Sequence, residues 1–175
     1  DISILVDFNI LKVSGTTYDS STKEANWYYD TRGKLYYLVN LLSELLDEEF
    51  IIVYTEQPNA QKGRGKILFK DYILAGFAPK LNNIKDDLFL KISFSGLKTN
   101  PCFAVDLDLN FRNASSKFNS QRNEIYNKSL FEWKINDDFP NNWNDLLNLI
   151  NPQITKLLEE FKKLTLNKSE NQKKT

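Results

Sequence analysis

From Leu88 to Phe94, and again from Cys102 to Phe111, apolar side chains take every second place along the chain. Period-two alternation belongs to a strand with one face turned to a core. Between the two runs lies Ser95-Gly96-Leu97-Lys98-Thr99-Asn100-Pro101, rich in residues that turn a backbone. Strands joined by so short a connection pair antiparallel, because a parallel crossover needs a dozen or more residues. The pair therefore predicts a hairpin, and with it a mainly antiparallel sheet that other segments must cover.

Those segments can be read in turn. Ile2, Ile4, Val6, Phe8 and Ile10 alternate as one face of a further strand, and residues 14–25 have loop composition. The aromatic cluster Trp27-Tyr28-Tyr29 precedes Asp30-Thr31-Arg32-Gly33, which reads as a turn. Lys34 to Glu49 then predicts a helix, with Leu35, Leu38, Leu42, Leu45 and Leu46 at three- and four-residue spacing and Asp30 or Thr31 as its cap. Phe50–Tyr54 is a short strand, residues 57–66 a loop, and Ile67–Phe77 an apolar stretch open to either strand or helix. Asn113–Lys128 carries a thin helical stripe of Phe118, Ile125 and Tyr126, and Leu130–Ile135 reads as a strand. A last helix spans Trp143–Leu164, where Pro152 is expected to kink or split it. Residues 167–175 are all polar with three lysines and read as a linker to further domains or as a frayed end. The expected architecture is one α+β domain over residues 1–166 followed by that tail. Its sheet is mostly antiparallel and open to curling or closing toward a barrel, with one central and one C-terminal amphipathic helix.

Composition removes whole classes of chemistry. The 175 residues contain no histidine and one cysteine, Cys102. Zinc sites built on histidine or cysteine clusters are thereby excluded, and so are Ser-His-Asp and Cys-His mechanisms. Any catalysis falls to carboxylates, lysines or tyrosines, so the sequence points to no catalytic activity of its own and to no cofactor. A lone cysteine forms no internal disulfide and fits a reducing, cytoplasmic setting. No apolar run approaches the roughly 18 residues of a membrane span, and Ile2–Leu11, broken by Asp7 and Asn9 with no basic leader, does not read as a signal peptide.

The formal net charge of zero conceals an asymmetry. Residues 1–56 hold ten acids and four bases, a net −6; residues 57–128 hold six acids and twelve bases, a net +6; residues 129–175 balance. A basic middle third suits a polyanion met through one face. Within it, Gln61-Lys62-Gly63-Arg64-Gly65-Lys66 alternates cations with glycines, so that Lys62, Arg64 and Lys66 suit phosphate oxygens. The glycine spacing is not that of a Walker A loop. Arg112, Lys117, Gln121, Arg122 and Lys128 form a second basic, amide-rich segment whose side chains match base edges and phosphates. Each of these equally describes a solvated hairpin tip or helix face. Trp27, Tyr28 and Tyr29 are candidates for stacking on an unpaired or flipped base, although such a cluster is more often core.

A second chemistry rests on carboxylates. Asp106 and Asp108 share one face of a strand, and Glu132-Trp133-Lys134 places Glu132 and Lys134 on one face of a later one. This arrangement resembles the PD-(D/E)xK nuclease pattern, although the Pro-Asp dipeptide is missing. The resemblance implies acids that bind magnesium and a lysine that steadies the attacking water. Alternating charge on a half-exposed strand gives the same pattern without a site.

The segment Leu90-Lys91-Ile92-Ser93-Phe94-Ser95-Gly96, followed by Cys102–Leu109, is similar to a strand-turn-strand of the DNA-recognition domains that open McrB-type restriction GTPases. The closing helix and lysine-rich tail fit the same plan. That resemblance implies recognition of target DNA, sometimes through a modified base, with GTPase and nuclease functions on other domains. A protein-interaction module, binding through the acidic first third, is the remaining alternative.

Overall fold

The computed structural model describes residues 14–62, 65–80, 88–97, 99–110 and 118–173, of which 60–62, 66 and 166–173 are described in backbone only. The predicted N-terminal strand lies outside them. Five strands, β1 (Phe50–Tyr54), β4 (Ile73–Pro79), β5 (Leu88–Ser95), β6 (Cys102–Leu109) and β7 (Phe131–Lys134), form one sheet in the order β1-β4-β5-β6-β7. All neighbours are antiparallel, and the sheet is open, with β1 and β7 as its edges. β2 (Asn59–Lys62) and β3 (Lys66–Phe69) make a separate hairpin. The fold is α+β, and the sheet does not close into a barrel.

The alternating pair behaves as its pattern demands. β5 and β6 pair from Leu88↔Leu109 to Ser95↔Cys102 without interruption. Gly96 lies in the connection at φ +61, where a side chain would meet the Asn100 carbonyl oxygen at 2.4 Å, so only glycine fits. One face of the sheet carries Phe77, Leu90, Ile92, Phe103, Val105 and Leu107, all buried.

Two helices cover that face. Helix α1 (Lys23–Leu46) buries Ala25, Tyr28, Thr31, Leu35, Leu38, Val39 and Leu42, a single stripe at helical spacing. It begins eleven residues before the predicted start, so the aromatic cluster and the expected turn Asp30–Gly33 are helical. Thr22 caps it, its hydroxyl oxygen accepting from the Ala25 N–H at 3.2 Å. Gly33 did not break the helix because it faces open space on the exposed side, where its cost is about 1 kcal/mol against tertiary burial of the whole stripe. Helix α3 (Trp143–Lys173) buries Leu146, Ile150, Ile154, Leu157, Leu158 and Phe161. Pro152 does not split it. Pro152 and Asn148, whose carbonyl loses its partner four residues on, are both exposed, so water can satisfy the freed oxygen. The helix backbone continues through residues 165–173.

Helix α2 (Arg122–Ser129), entered through a 3-10 turn at Asn119–Gln121, takes up the later part of the predicted segment, of which residues 113–117 lie outside the described residues. β7 pairs only with Cys102–Val105, and α2 takes over the open edge of β6 beyond it. There the Leu107 N–H donates to Ser129 Oγ at 2.9 Å.

Of the ambiguous run 67–77, the first part belongs to β3 and the rest to β4, separated by Lys70-Asp71-Tyr72. Phe69 pins the hairpin: its ring lies 5.3 Å from Tyr28 and 4.9 Å from Tyr18. No helix among the described residues is long and apolar enough to cross a membrane.

Candidate functional site

The second face of the sheet is where polar chemistry collects. Register alone places Lys91 opposite Asp106, Phe89 opposite Asp108, and Ser93 opposite Ala104, all on the face turned away from α1 and α3. Tyr54 pairs with Gly76 on the same side. Gly76 has no side chain to raise above the sheet, so Tyr54 and Phe89 meet across it with rings parallel to within 10° and 5.1 Å apart. A Cβ on Gly76 would lie 2.8 Å from both.

A hollow of about 260 Å³ opens on this face. Tyr54, Tyr72, Phe89 and Tyr126 give it aromatic walls; Lys91, Asp108 and Arg122 give it a charged floor; Glu56, Ser93 and Ser95 complete it. Lys91 Nζ donates to Asp108 Oδ2 at 2.8 Å and stands 3.4 Å from Asp106 Oδ1. Arg122 Nε donates to Asp108 Oδ1 at 3.1 Å, and the Leu109 N–H to the same oxygen at 2.7 Å. The Lys91 ammonium also lies 5.1 Å from the centre of the Tyr126 ring.

The two aspartates are not equivalent. Burial works against the Asp108 carboxylate, but Lys91, the Leu109 N–H and Arg122 outweigh it and hold its pKa below the ordinary value. Asp106 is 1% exposed, and neither of its oxygens receives a hydrogen bond. The 3.4 Å approach of Lys91 is an ion-pair contact, too long for a good hydrogen bond. Burial therefore dominates, with Asp108 and Glu132 adding to it, and the carboxyl is pushed up to about 7. Lys91 loses hydration by burial, yet Asp106 and Asp108 keep its pKa raised.

Glu56 forms the opposite lip. Its carboxylate accepts from Lys70 Nζ and the Tyr72 hydroxyl, each at 2.6 Å, and from the Tyr54 hydroxyl. Desolvation raises its pKa, and these three donors bring it back below the ordinary value.

The predicted site residues distribute unevenly over this geometry. Arg122 stands in the pocket, tied to Asp108. Gln121 and Lys128 instead line a hollow of about 440 Å³ between α2 and α3, floored by Leu107, Ile125 and Leu157. Lys62 and Lys66 close the β2–β3 hairpin as its last pair, while Arg64, Arg112 and Lys117 lie outside the described residues. The aromatic cluster is divided. Tyr28 is core, 1% exposed with its hydroxyl donating to the Lys70 carbonyl, and has no face left for a base. Trp27 is half-buried with its ring 5.3 Å from that of Tyr28. Tyr29 alone is exposed.

Asp106, Asp108, Glu132 and Lys134 do share one face, Glu132 opposite Ala104 and Lys134 opposite Cys102. Among the described residues, however, no three acids converge as a metal-holding group. The space between the two aspartates is taken by the Lys91 ammonium. Lys91, Glu56, Tyr54, Tyr72 and Phe89 escaped sequence reasoning. For Lys91 a signal existed: once the hairpin register is set, it falls directly opposite Asp106.

Comparison with models of known protein families, with curated proteins and with solved structures gives no match to this chain.

Proposed function

We propose that the chain is a DNA-recognition module that takes one unpaired or extruded base into the pocket on the outer face of its sheet. The observation that supports this most is connectivity. Residues 57–71 leave the pocket wall at Glu56 and return to it at Tyr72; residues 110–121 leave at Leu109 and return at Arg122. The two basic segments, with Lys62, Arg64 and Lys66 on one and Arg112 and Lys117 on the other, are therefore both rooted in the pocket's rim. Two basic chain segments that begin and end at one hollow suit a phosphate backbone, and the hollow suits the base.

The pocket's chemistry agrees. At about 260 Å³ it falls just under the range of about 300–1,000 Å³ usual for drug-sized ligands. Base stacking on aromatic walls is worth about 1–3 kcal/mol, and Lys91, Arg122, Asp108 and the serines offer both donors and acceptors to a base edge. The setting we propose is a restriction or defence system, in keeping with the resemblance of the β5–β6 segment to McrB-type recognition domains. The magnesium-dependent nuclease alternative draws support only from the shared face of Asp106, Asp108, Glu132 and Lys134, and Lys91 between the aspartates weighs against it.

Fluorescence anisotropy with labelled duplexes tests the reading. At about 50 mM salt a duplex carrying an unpaired or modified base should bind more tightly than its fully paired, unmodified counterpart. Lys62→Ala/Arg64→Ala should weaken both alike, and Arg122→Ala should erase the preference. Failure to bind any duplex or single strand under these conditions would sink the proposal.

A further inference from the structure

Each cation at the pocket already has a carboxylate: Lys70 has Glu56, Lys91 has Asp106 and Asp108, and Arg122 has Asp108. Arg32 is different. It lies on α1, one turn after Tyr28, and among the described residues no carboxylate oxygen comes within 4 Å of it. Its guanidinium is nevertheless fixed in place. Nη1 donates to the Glu56 carbonyl oxygen at 2.9 Å, and the group lies 5.0 Å from the Tyr29 ring centre and 5.8 Å from that of Tyr36. Tyr29 is itself held, its hydroxyl donating to Gln57 Oε1 at 3.0 Å.

A crevice of about 10 Å³, too small to enclose a phosphate, marks this shelf; it is lined by Tyr29, Arg32 and Gln57 and shares Glu56, Tyr72 and Leu74 with the larger pocket, so an anion would sit on the open surface above it. The shelf and the pocket are thus two sides of one wall. A guanidinium over a tyrosine ring, oriented by a backbone oxygen and with no acid within 4 Å among the described residues, is suited to donate to an incoming anion. Planar, bidentate donation is the geometry that phosphate oxygens accept best.

We propose that Arg32, seated on Tyr29, is a phosphate-ester subsite at the lip of the sheet pocket, binding the phosphate of the nucleotide whose base the pocket holds. The inference rests on the base-pocket reading above and adds to it a named anchor outside the basic middle third. It gives Tyr29 a role in supporting the guanidinium in place of stacking on a base.

Isothermal titration of the folded chain with the four deoxynucleosides and their monophosphates separates the two claims. At least one monophosphate should bind about tenfold more tightly than its nucleoside, the scale of one charge-assisted bidentate contact. Arg32→Gln should remove that advantage and leave nucleoside affinity unchanged, with its thermal melt as the check on folding. Arg32→Lys, which keeps the charge without the fork, should recover only part of it. On duplex DNA, Arg32→Gln should lower the salt slope by about one ion. A wild-type chain that binds nucleoside and monophosphate equally overturns the subsite while leaving the base pocket standing. An Arg32→Gln chain that keeps the full advantage overturns it as well. Absence of binding to nucleosides, monophosphates and duplexes alike overturns both readings.

Discussion

Asp106 offers the sharpest physical test, because replacing it with asparagine should stabilise the protein at neutral pH. A carboxyl that titrates at about 7 in the folded chain and at its ordinary 3.8 when unfolded binds its proton more tightly in the fold. Between those two values the unfolded state holds fewer protons, so stability falls as pH rises from about 4 to 7 and levels off above. At about 1.36 kcal/mol per tenfold in proton affinity, the full loss is on the order of 4 kcal/mol. Asparagine carries no charge at any pH, so Asp106→Asn should lack that slope. The gain is trimmed because Lys91 loses one of two acid neighbours, although it keeps Asp108 at 2.8 Å. We expect the variant to be more stable by about 2 kcal/mol at pH 8, with the difference vanishing near pH 4. Urea unfolding followed by tryptophan fluorescence at pH 4 to 8 measures it directly. Parallel curves for the two proteins, or a less stable variant at pH 8, would refute the assignment of Asp106 as a carboxyl destabilised by burial.

Gly33→Ala should raise stability by about 0.5–1 kcal/mol in the same assay, since a Cβ there meets nothing within 4 Å. Gly76→Ala should instead cost about 1–3 kcal/mol, because the added methyl lies 2.8 Å from Tyr54 and Phe89; it should also weaken ligand binding in the pocket those rings wall. Thr22→Ala removes the oxygen that accepts from Ala25 and should cost about 1 kcal/mol by thermal melt. Supercoiled plasmid should survive incubation with the chain and magnesium. Nicking lost on Asp106→Ala or Glu132→Ala would shift the reading to the nuclease alternative.

The elements that declared themselves in the sequence are those whose local pattern and tertiary role coincide. Leu88–Phe94 and Cys102–Leu109 alternate because one face meets the helices, and their register followed. The start of α1 was hidden because Asp30, Thr31 and Gly33 carry turn propensity, which burial of Tyr28, Thr31 and Leu35 on one stripe overrides. The true cap, Thr22, sat in a stretch whose Gly, Ser and Thr content reads as loop. The pocket was less legible still. Lys91 on an alternating strand reads as a solvated charge; its burial depends on Asp106, Asp108 and Tyr126 arriving from two other elements. Tyr54, Phe89 and Gly76 form a wall only because β4 separates β1 from β5, a sheet order that no local pattern encodes.

The charged floor has a consequence for how binding would respond to ionic strength. Above about pH 7, where both aspartates are ionised, Lys91 and Arg122 face Asp106 and Asp108 as a closed, electrically neutral set. Such a set holds no counter-ions to release, so whatever affinity it contributes survives added salt. On the same proposal, cations outside it, Arg32 among them, would contribute the part that salt removes. On the base-pocket proposal, a titration in potassium chloride would therefore strip that outer share first and leave whatever discrimination the floor supplies as the residue at high salt.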